Sequence, residues 1–454
     1  MKKTSNSKYE VDMVNGPLLG KIIIYALPLV ASGILQIAFN AVDLIVVGRY
    51  AGSNALAAVG STSSLINLMI NLFIGLSAGT NVLIARFYGG GQKEALKESV
   101  HTAIGVSVVC GFALIFIGYF FARPILLLMD TPPEIIDDAV LYTQIYFAGM
   151  PVIMLYNFGS AILRAVGDTR RPLYYLLLAG ILNVLLNVLF VKYLHMSVAG
   201  VALGTVLSQV VSTALILRAL MMSDGDYKLE LRNIKISKDK FLKMLQIGLP
   251  AGIQACLFSL SNVLIQSSIN SFGATVVAGN TAASNIEGLV YTGMNAIYQT
   301  ALSFVGQNYG AGKLKRIKKI SAMCIAIVVF TGILLGQAAI LFNGTLLKLY
   351  GTSGQEISYG MLRMSIICNT YFLCGIMDVL VGILRVMGYA VMPMIVSLSG
   401  ACLLRIVWIM TIFERFRSLE VLYLSYPVTW IITASVHFVC LLYVWKKLRN
   451  KFEE

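Results

Sequence analysis

The chain has 454 residues, 58% of them hydrophobic and only 12% charged, with mean hydropathy +0.80 and a formal net charge of +14. That balance excludes a soluble globular protein. The basic residues flank apolar stretches instead of forming an aromatic-rich soluble domain, which argues against a nucleic-acid partner.

About twelve apolar stretches are each roughly 20 residues or longer, the length that crosses a hydrocarbon core. In chain order they lie near 22–48, 55–80, 98–121, 137–162, 173–193, 197–220, 244–270, 276–305, 319–345, 359–383, 392–413 and 421–445. Backbone groups in lipid must be bonded internally, and the alternating ten-residue strands of a barrel are missing, so the spans are predicted helices and the fold class is an all-α integral membrane protein. The N-terminus is polar and no small-residue cleavage site follows the first stretch, so no cleavable signal peptide is expected. Twelve spans return both termini to one side. The segments on that side are 1–21, 86–97, 164–172, 218–243, 313–319, the neighbourhood of Arg385, and 446–454. They hold roughly 27 of the 35 Lys and Arg, so both termini are expected in the cytoplasm. The opposite segment, 122–138, carries Asp130, Glu134, Asp137 and Asp138. Membrane lipids, anionic headgroups among them, are the expected neighbours of the basic segments. The seven Cys fall inside apolar stretches at no zinc spacing and read as packing residues, and His101, His195 and His437 are scattered.

The chain repeats itself. Leu27-Pro28 recurs as Leu249-Pro250, Gly52 as Gly273, Tyr88 to Gly91 as Tyr309 to Gly312, Ile162-Leu163-Arg164 as Ile383-Leu384-Arg385, and Gly167 and Pro172 as Gly388 and Pro393. All but the first pair share an offset of 221 residues. A constant register across half a chain signals duplication. Each half therefore holds six spans, and an even number makes the repeats parallel, related by a pseudo-two-fold axis along the membrane normal. The expected organisation is a cytoplasmic segment 1–21, an N-lobe 22–220, a linker 221–243, a C-lobe 244–446 and a tail 447–454.

Asp43 is the only formal charge between Ile22 and Val47. An acid at such depth costs a few kcal/mol on insertion scales, and acids kept there face a cavity, a proton path or an ion. At about 1.5 Å per residue, Asn183 and Asn187 on span 5 and Thr205 on span 6 fall in the same layer as Asp43, roughly 8–15 Å below the outer surface. One carboxylate, two amide oxygens and a hydroxyl suit a hard monovalent cation such as Na⁺. The same carboxylate could instead take H⁺. The bland readings are a structural acid paired with an Arg, interhelical hydrogen bonding by the Asn pair, and a Thr bonded to its own helix. Pro28 removes a backbone bond within span 1 and allows it to bend, or is a plain kink.

The proline-led first span ending in Val42-Asp43, the segment Gly306 to Gly312 and the segment Leu163 to Asp168 resemble the multidrug and toxic compound extrusion family, of bacterial type. The resemblance runs from about residue 17 to 446, and it is the combination with a six-plus-six layout that is specific. It implies a V-shaped pair of six-helix lobes in the bacterial inner membrane, exporting organic, often cationic and amphipathic, compounds against inward H⁺ or Na⁺. It implies no cofactor beyond that coupling ion, small-molecule substrates as partners, and a monomer. Motif by motif it also implies that Asp43, Asn183, Asn187 and Thr205 form the cation site, and it places Gln36 and Pro28 at family positions for support or bending. Asn187 stands where some members have Asp, which leaves Asp43 as the sole titrating group.

At the repeat offset, Asp43 maps to Leu264, Asn183 to Leu404 and Asn187 to Trp408, so the site is not duplicated. The second half instead carries Glu287, Asp378 and Arg405, expected as a neutralising charged network or as a substrate or proton site. A lipid-linked oligosaccharide flippase is the nearest rival and would want a cationic cavity for pyrophosphate. An intramembrane enzyme would need a nucleophile–base pair or metal ligands at one depth, and a channel a re-entrant filter; neither pattern is evident.

Overall fold

The computed structural model describes residues 9–129, 131–350 and 354–453. Asp130 of the acidic outer segment lies outside the described residues, as do residues 1–8 of the N-terminal segment and the last residue of the tail. Every regular element among the described residues is helical. The first half runs α1 Leu19–Tyr50, α2 Ser53–Gly89, α3 Lys93–Leu128, α4 Ile136–Ala148, α5 Met150–Val166, α6 Arg170–Asn187 and α7 Ser197–Met221. The second runs α8 Lys238–Asn270, α9 Ala274–Gly310, α10 Leu314–Leu341, α11 Asn343–Leu349, α12 Gln355–Val386, α13 Val391–Ser397, α14 Leu404–Trp408 and α15 Leu419–Glu453. π-Helical turns extend α6 over Val188–Tyr193, join α13 to α14 over Leu398–Leu403, and prolong α14 over Ile409–Phe413.

Ten helical runs among the described residues are long and apolar enough to cross a membrane. The pair α4–α5, bent by 49°, makes one more span. The remaining expected span is α9, which has 37 residues but falls outside that set. Asn280, Glu287, Asn295, Gln299, Gln307 and Asn308 make it too polar to cross alone. Asn280, Glu287, Gln307 and Asn308 are buried, and a helix of this kind keeps its polar face inside the bundle.

The chain divides into two compact units, Met1–Gly16 with Leu27–Gly252 and Pro17–Ala26 with Ile253–Glu454. The core of the first is built from α2, α3, α4, α5 and α7, around residues such as Ile84, Val100, Met154, Phe158 and Val201. In the second, α12 packs against α9, α10 and α15. Ile265, Phe413 and Tyr423 gather in one apolar cluster of that unit, and Ile367, Met377 and Trp430 in another.

The repeat is visible in the packing. A Cβ on Gly111 would stand 2.3 Å from Pro151 Cα, and one on Gly332, its counterpart, 2.8 Å from Phe372 Cα. Pro151 and Phe372 are themselves counterparts, so both halves use a glycine to bring the same two helices together. Gly167 and Gly388 end the helices α5 and α12 with φ of 108° and 97°, the left-handed conformation that a helix C-terminus asks of glycine.

At one end of the first unit the N-terminal strap is tied down. Glu10 accepts hydrogen bonds from the Tyr227 hydroxyl at 2.6 Å and the Tyr88 hydroxyl at 3.1 Å, and Val11 N donates to Gly167 O at 3.1 Å. The Tyr9 ring lies under the Arg171 guanidinium, 5.6 Å from its centroid. Burial pushes the Glu10 carboxyl above the ordinary carboxylate range, against the lowering effect of the two tyrosine hydrogen bonds.

Candidate functional site

A glycine contact seats the site. A Cβ on Gly180 of α6 would stand 1.8 Å from the Phe39 ring of α1, so the ring can lie on this helix only because the glycine is bare. Asp43 lies one turn beyond Phe39 on the same face of α1, and Asn183 and Asn187 follow Gly180 on the same face of α6. The contact therefore faces the acid with the two amides. Asn187 Nδ2 donates to Asp43 Oδ1 at 2.5 Å and to Asn183 Oδ1 at 3.4 Å. Asn183 Nδ2 donates in turn to Thr205 Oγ1 of α7 at 3.3 Å. Asp43, Asn187, Asn183 and Thr205 thus form one hydrogen-bonded chain across three helices of the first unit. The two amides are buried and the two ends half-buried.

The chain is electrostatically one-sided. Among the described residues no Lys, Arg or His pairs with Asp43; its polar partner is the neutral Asn187. Asn187 Oδ1 is buried and receives no hydrogen bond from a described residue. An acceptor left over beside a carboxylate is an oxygen available to a cation. The α-helix gives way to π-helix at Val188, directly after Asn187, where a wide turn is a frequent companion of functional side chains.

Reasoning from the sequence missed three contributors. Gly204 precedes Thr205, and a Cβ there would stand 2.1 Å from Asn187 Oδ1. Tyr142 and Tyr146 of α4 stack with centroids 6.1 Å apart and lie within electrostatic range of the Asp43 carboxylate. The two tyrosines are four residues apart on one helical face, a spacing visible in the sequence, whereas nothing in it marks Gly204. Of the remaining first-half candidates, Pro28 lies inside α1, where Ser32 Oγ donates to its carbonyl at 2.8 Å. Gln36 lies on α1 with its side chain exposed.

The second-half charges do not come together as one network. Glu287 is paired by Arg363, whose Nε and Nη2 reach its two carboxylate oxygens at 2.9 and 2.7 Å, while Nη1 donates to Asn280 Oδ1 at 2.8 Å. Asp378 accepts from the Tyr291 hydroxyl at 3.1 Å. Arg405 is buried and forms no ion pair with a described acid; its Nη2 donates to Thr429 Oγ1 at 3.2 Å. Arg363 is the cation that the sequence reading lacked.

The family model MatE matches the chain twice, over residues 28–189 and 250–411. The chain belongs to the MatE family. As a MatE protein it is a multi-pass membrane transporter of small molecules, not an enzyme, and its two matched segments are the two halves of the internal repeat. It is similar to the probable multidrug resistance protein YoeA of Bacillus subtilis (strain 168), 26% identical over 93% of each chain. It is also similar to the probable multidrug resistance protein YpnP of the same organism, 26% identical over 87% of this chain and 88% of the relative. Among solved structures, an outward-facing multidrug resistance MATE transporter of the MOP superfamily has the same fold, with a TM-score of 0.90 at 22% identity, over 98% of this chain and all of that one.

Proposed function

We propose that this MatE protein is a secondary active antiporter that exports small organic compounds, cationic amphiphiles among them, in exchange for inward H⁺ or Na⁺ bound at Asp43. The observation that carries the reading is the Asp43–Asn187–Asn183–Thr205 chain, with its single uncompensated acid and the spare buried oxygen of Asn187. With H⁺ as the coupling ion, protonation neutralises Asp43 and removes the cost of holding a charge away from water. With Na⁺, turning the Asn187 amide over brings its oxygen to the side of Asp43, where it, Asn183 Oδ1 and Thr205 Oγ1 surround the ion with the carboxylate. Either cation changes the charge of the site by one, so the site is stable in a dry conformation when loaded and in a hydrated one when empty. That difference is what lets a cation gradient drive a conformational cycle.

In this reading the N-lobe, 22–220, carries the coupling and the C-lobe, 244–446, a separate set of charges. The linker 221–243 and both termini face the cytoplasm, and the membrane is the bacterial inner membrane. The test is exchange in everted vesicles. Adding an organic cation such as ethidium should collapse a preset pH or Na⁺ gradient in vesicles that hold the protein and leave control vesicles unchanged. A gradient that dissipates at the same rate with and without the compound would point to a leak or channel and overturn antiport.

A further inference from the structure

Arg405 is a deeply buried cation that no acid among the described residues neutralises. Four other charged groups on α9 and α12 have their partners. Glu287 and Arg363 hold each other through two hydrogen bonds, Asp378 is held by Tyr291, and Arg385 donates to the Tyr298 hydroxyl at 2.7 Å and to Gln254 Oε1 at 2.6 Å. Arg405 is 5% exposed, has a neutral hydroxyl on Nη2, and lies over the Tyr426 ring at 4.1 Å. Its Nε is buried without an acceptor among the described residues. Nε and Nη2 form the side-on edge of a guanidinium, the edge that grips a carboxylate or phosphate with two parallel hydrogen bonds. A hydroxyl and a ring face stabilise a cation without neutralising it. Bulk lipid headgroups do not serve: Arg405 lies within the helical run Val391–Phe413, about 12 Å along the axis from its nearer end.

A row of rings runs away from this guanidinium. Tyr426 meets Trp430 edge-to-face at 5.6 Å, Trp430 stacks on Tyr371 at 5.3 Å, and Tyr371 stacks on Tyr291 at 6.3 Å. Trp430 is buried, while Tyr426, Tyr371 and Tyr291 are half-buried and keep part of their surface free. The repeat register gives this place a meaning. Arg405 falls one residue beyond the counterpart of Asn183, and Tyr426 is the counterpart of Thr205. The position that holds a carboxylate–amide site in the first unit thus holds a guanidinium and an aromatic row in the second.

We infer that the second unit carries a recognition subsite for planar aromatic compounds bearing an acidic group, the acid held side-on by Arg405 and the ring laid along the Tyr426–Trp430–Tyr371 row. The inference rests on the transporter reading only for the direction in which such a compound moves. It is tested by binding alone, with the full-length protein in phosphatidylcholine nanodiscs and no ion gradient. The probes are 9-anthracenecarboxylate, 9-anthracenemethanol and 9-(aminomethyl)anthracene, which share one ring system and differ in charge. The carboxylate should bind about tenfold tighter than the alcohol and tighter still than the ammonium compound. Arg405→Gln should bring the carboxylate down to the affinity of the alcohol and leave the alcohol unchanged. Arg405→Lys should keep part of the preference, and Tyr371→Leu should weaken carboxylate and alcohol alike. Equal binding of carboxylate and alcohol by the unaltered protein would overturn the inference, as would a preference that survives in Arg405→Gln. Should Arg405→Gln fail to fold, the unaltered protein and Arg405→Lys still decide: a Lys variant with the full side-on preference contradicts the role of the guanidinium edge. Because no gradient is involved, failure here leaves the antiport reading standing.

Discussion

Gly204 has no side chain, and the hydrogen-bonded chain proposed to carry coupling depends on that. A methyl group there would overlap Asn187 Oδ1, 2.1 Å away, and push the amide off Asp43. Gly204→Ala should therefore lower gradient-driven efflux by about tenfold or more while the protein still inserts, because a misplaced site group costs rate and not fold. Efflux at the unaltered level in Gly204→Ala would show that Asn187 Oδ1 is not part of the site. The buried pair in the second unit belongs to the same scale. Glu287→Ala would strand Arg363 among Tyr423, Tyr426 and Asn280. Removing one partner of a buried pair costs about 3–5 kcal/mol, whereas replacing both by apolar residues costs far less. Thermal unfolding in detergent should show a large drop for Glu287→Ala and a small one for Glu287→Leu combined with Arg363→Met. Equal drops for the two would contradict the pairing. Asp43 was legible at this scale because a charge in an apolar stretch is a costly exception. Arg363 was not: about five residues into its stretch, it reads as an end residue whose stem reaches back to water.

Helices carry the next set of consequences. The spacing of Asn183 and Asn187 already put them on one face of a span, and in the structure Asn187 Nδ2 reaches Asn183 Oδ1 at 3.4 Å. What periodicity could not show is that Gly180 lets Phe39 close on the same helix, since a glycine in an apolar span has several uses and its partner is about 140 residues away. Nor does any residue pattern announce the π-helical turns that follow Asn187 and flank α14, because they arise from how a whole helix packs. The strap from Tyr9 to Val11 was equally hidden, as a polar terminal segment gives no sign of where it docks. Its hold is pH-dependent in a stated direction. Glu10 has its carboxyl raised above the ordinary 4.5 when docked, so the docked strap binds a proton more tightly than a free one. Docking is strongest below that ordinary value and weakens as the pH rises through the raised one. Hydrogen exchange at residues 9–14 should accordingly speed up, beyond its intrinsic pH dependence, as the pH rises above the ordinary 4.5 and through the raised value. Glu10→Gln should abolish that excess. Protection that stays constant over the range in both proteins would rule out the titration of Glu10 as its cause.

For the whole molecule, composition and twelve apolar stretches were enough to read an all-helical membrane protein, and a 221-residue register was enough to read its duplication. The paired glycines Gly111 and Gly332 show the same duplication as geometry. The polar helix α9 departs from the apolar rule because the bundle, not lipid, surrounds its buried Asn280, Glu287, Gln307 and Asn308. The halves have since diverged in charge: an acid among amides in the first, an Arg beside aromatic rings in the second. If coupling is confined to the hydrogen-bonded chain of the first half, Asp43, the one acid in that chain, must carry all of the gradient dependence. Efflux by the unaltered protein and by Asp43→Asn, measured as a function of Na⁺ at fixed pH and of pH at fixed Na⁺, tests this most directly. The unaltered protein should respond to one of the two ions, and Asp43→Asn, inserted at equal level, should respond to neither and lose gradient-driven export. Export by Asp43→Asn that keeps the full ion dependence of the unaltered protein would contradict the account.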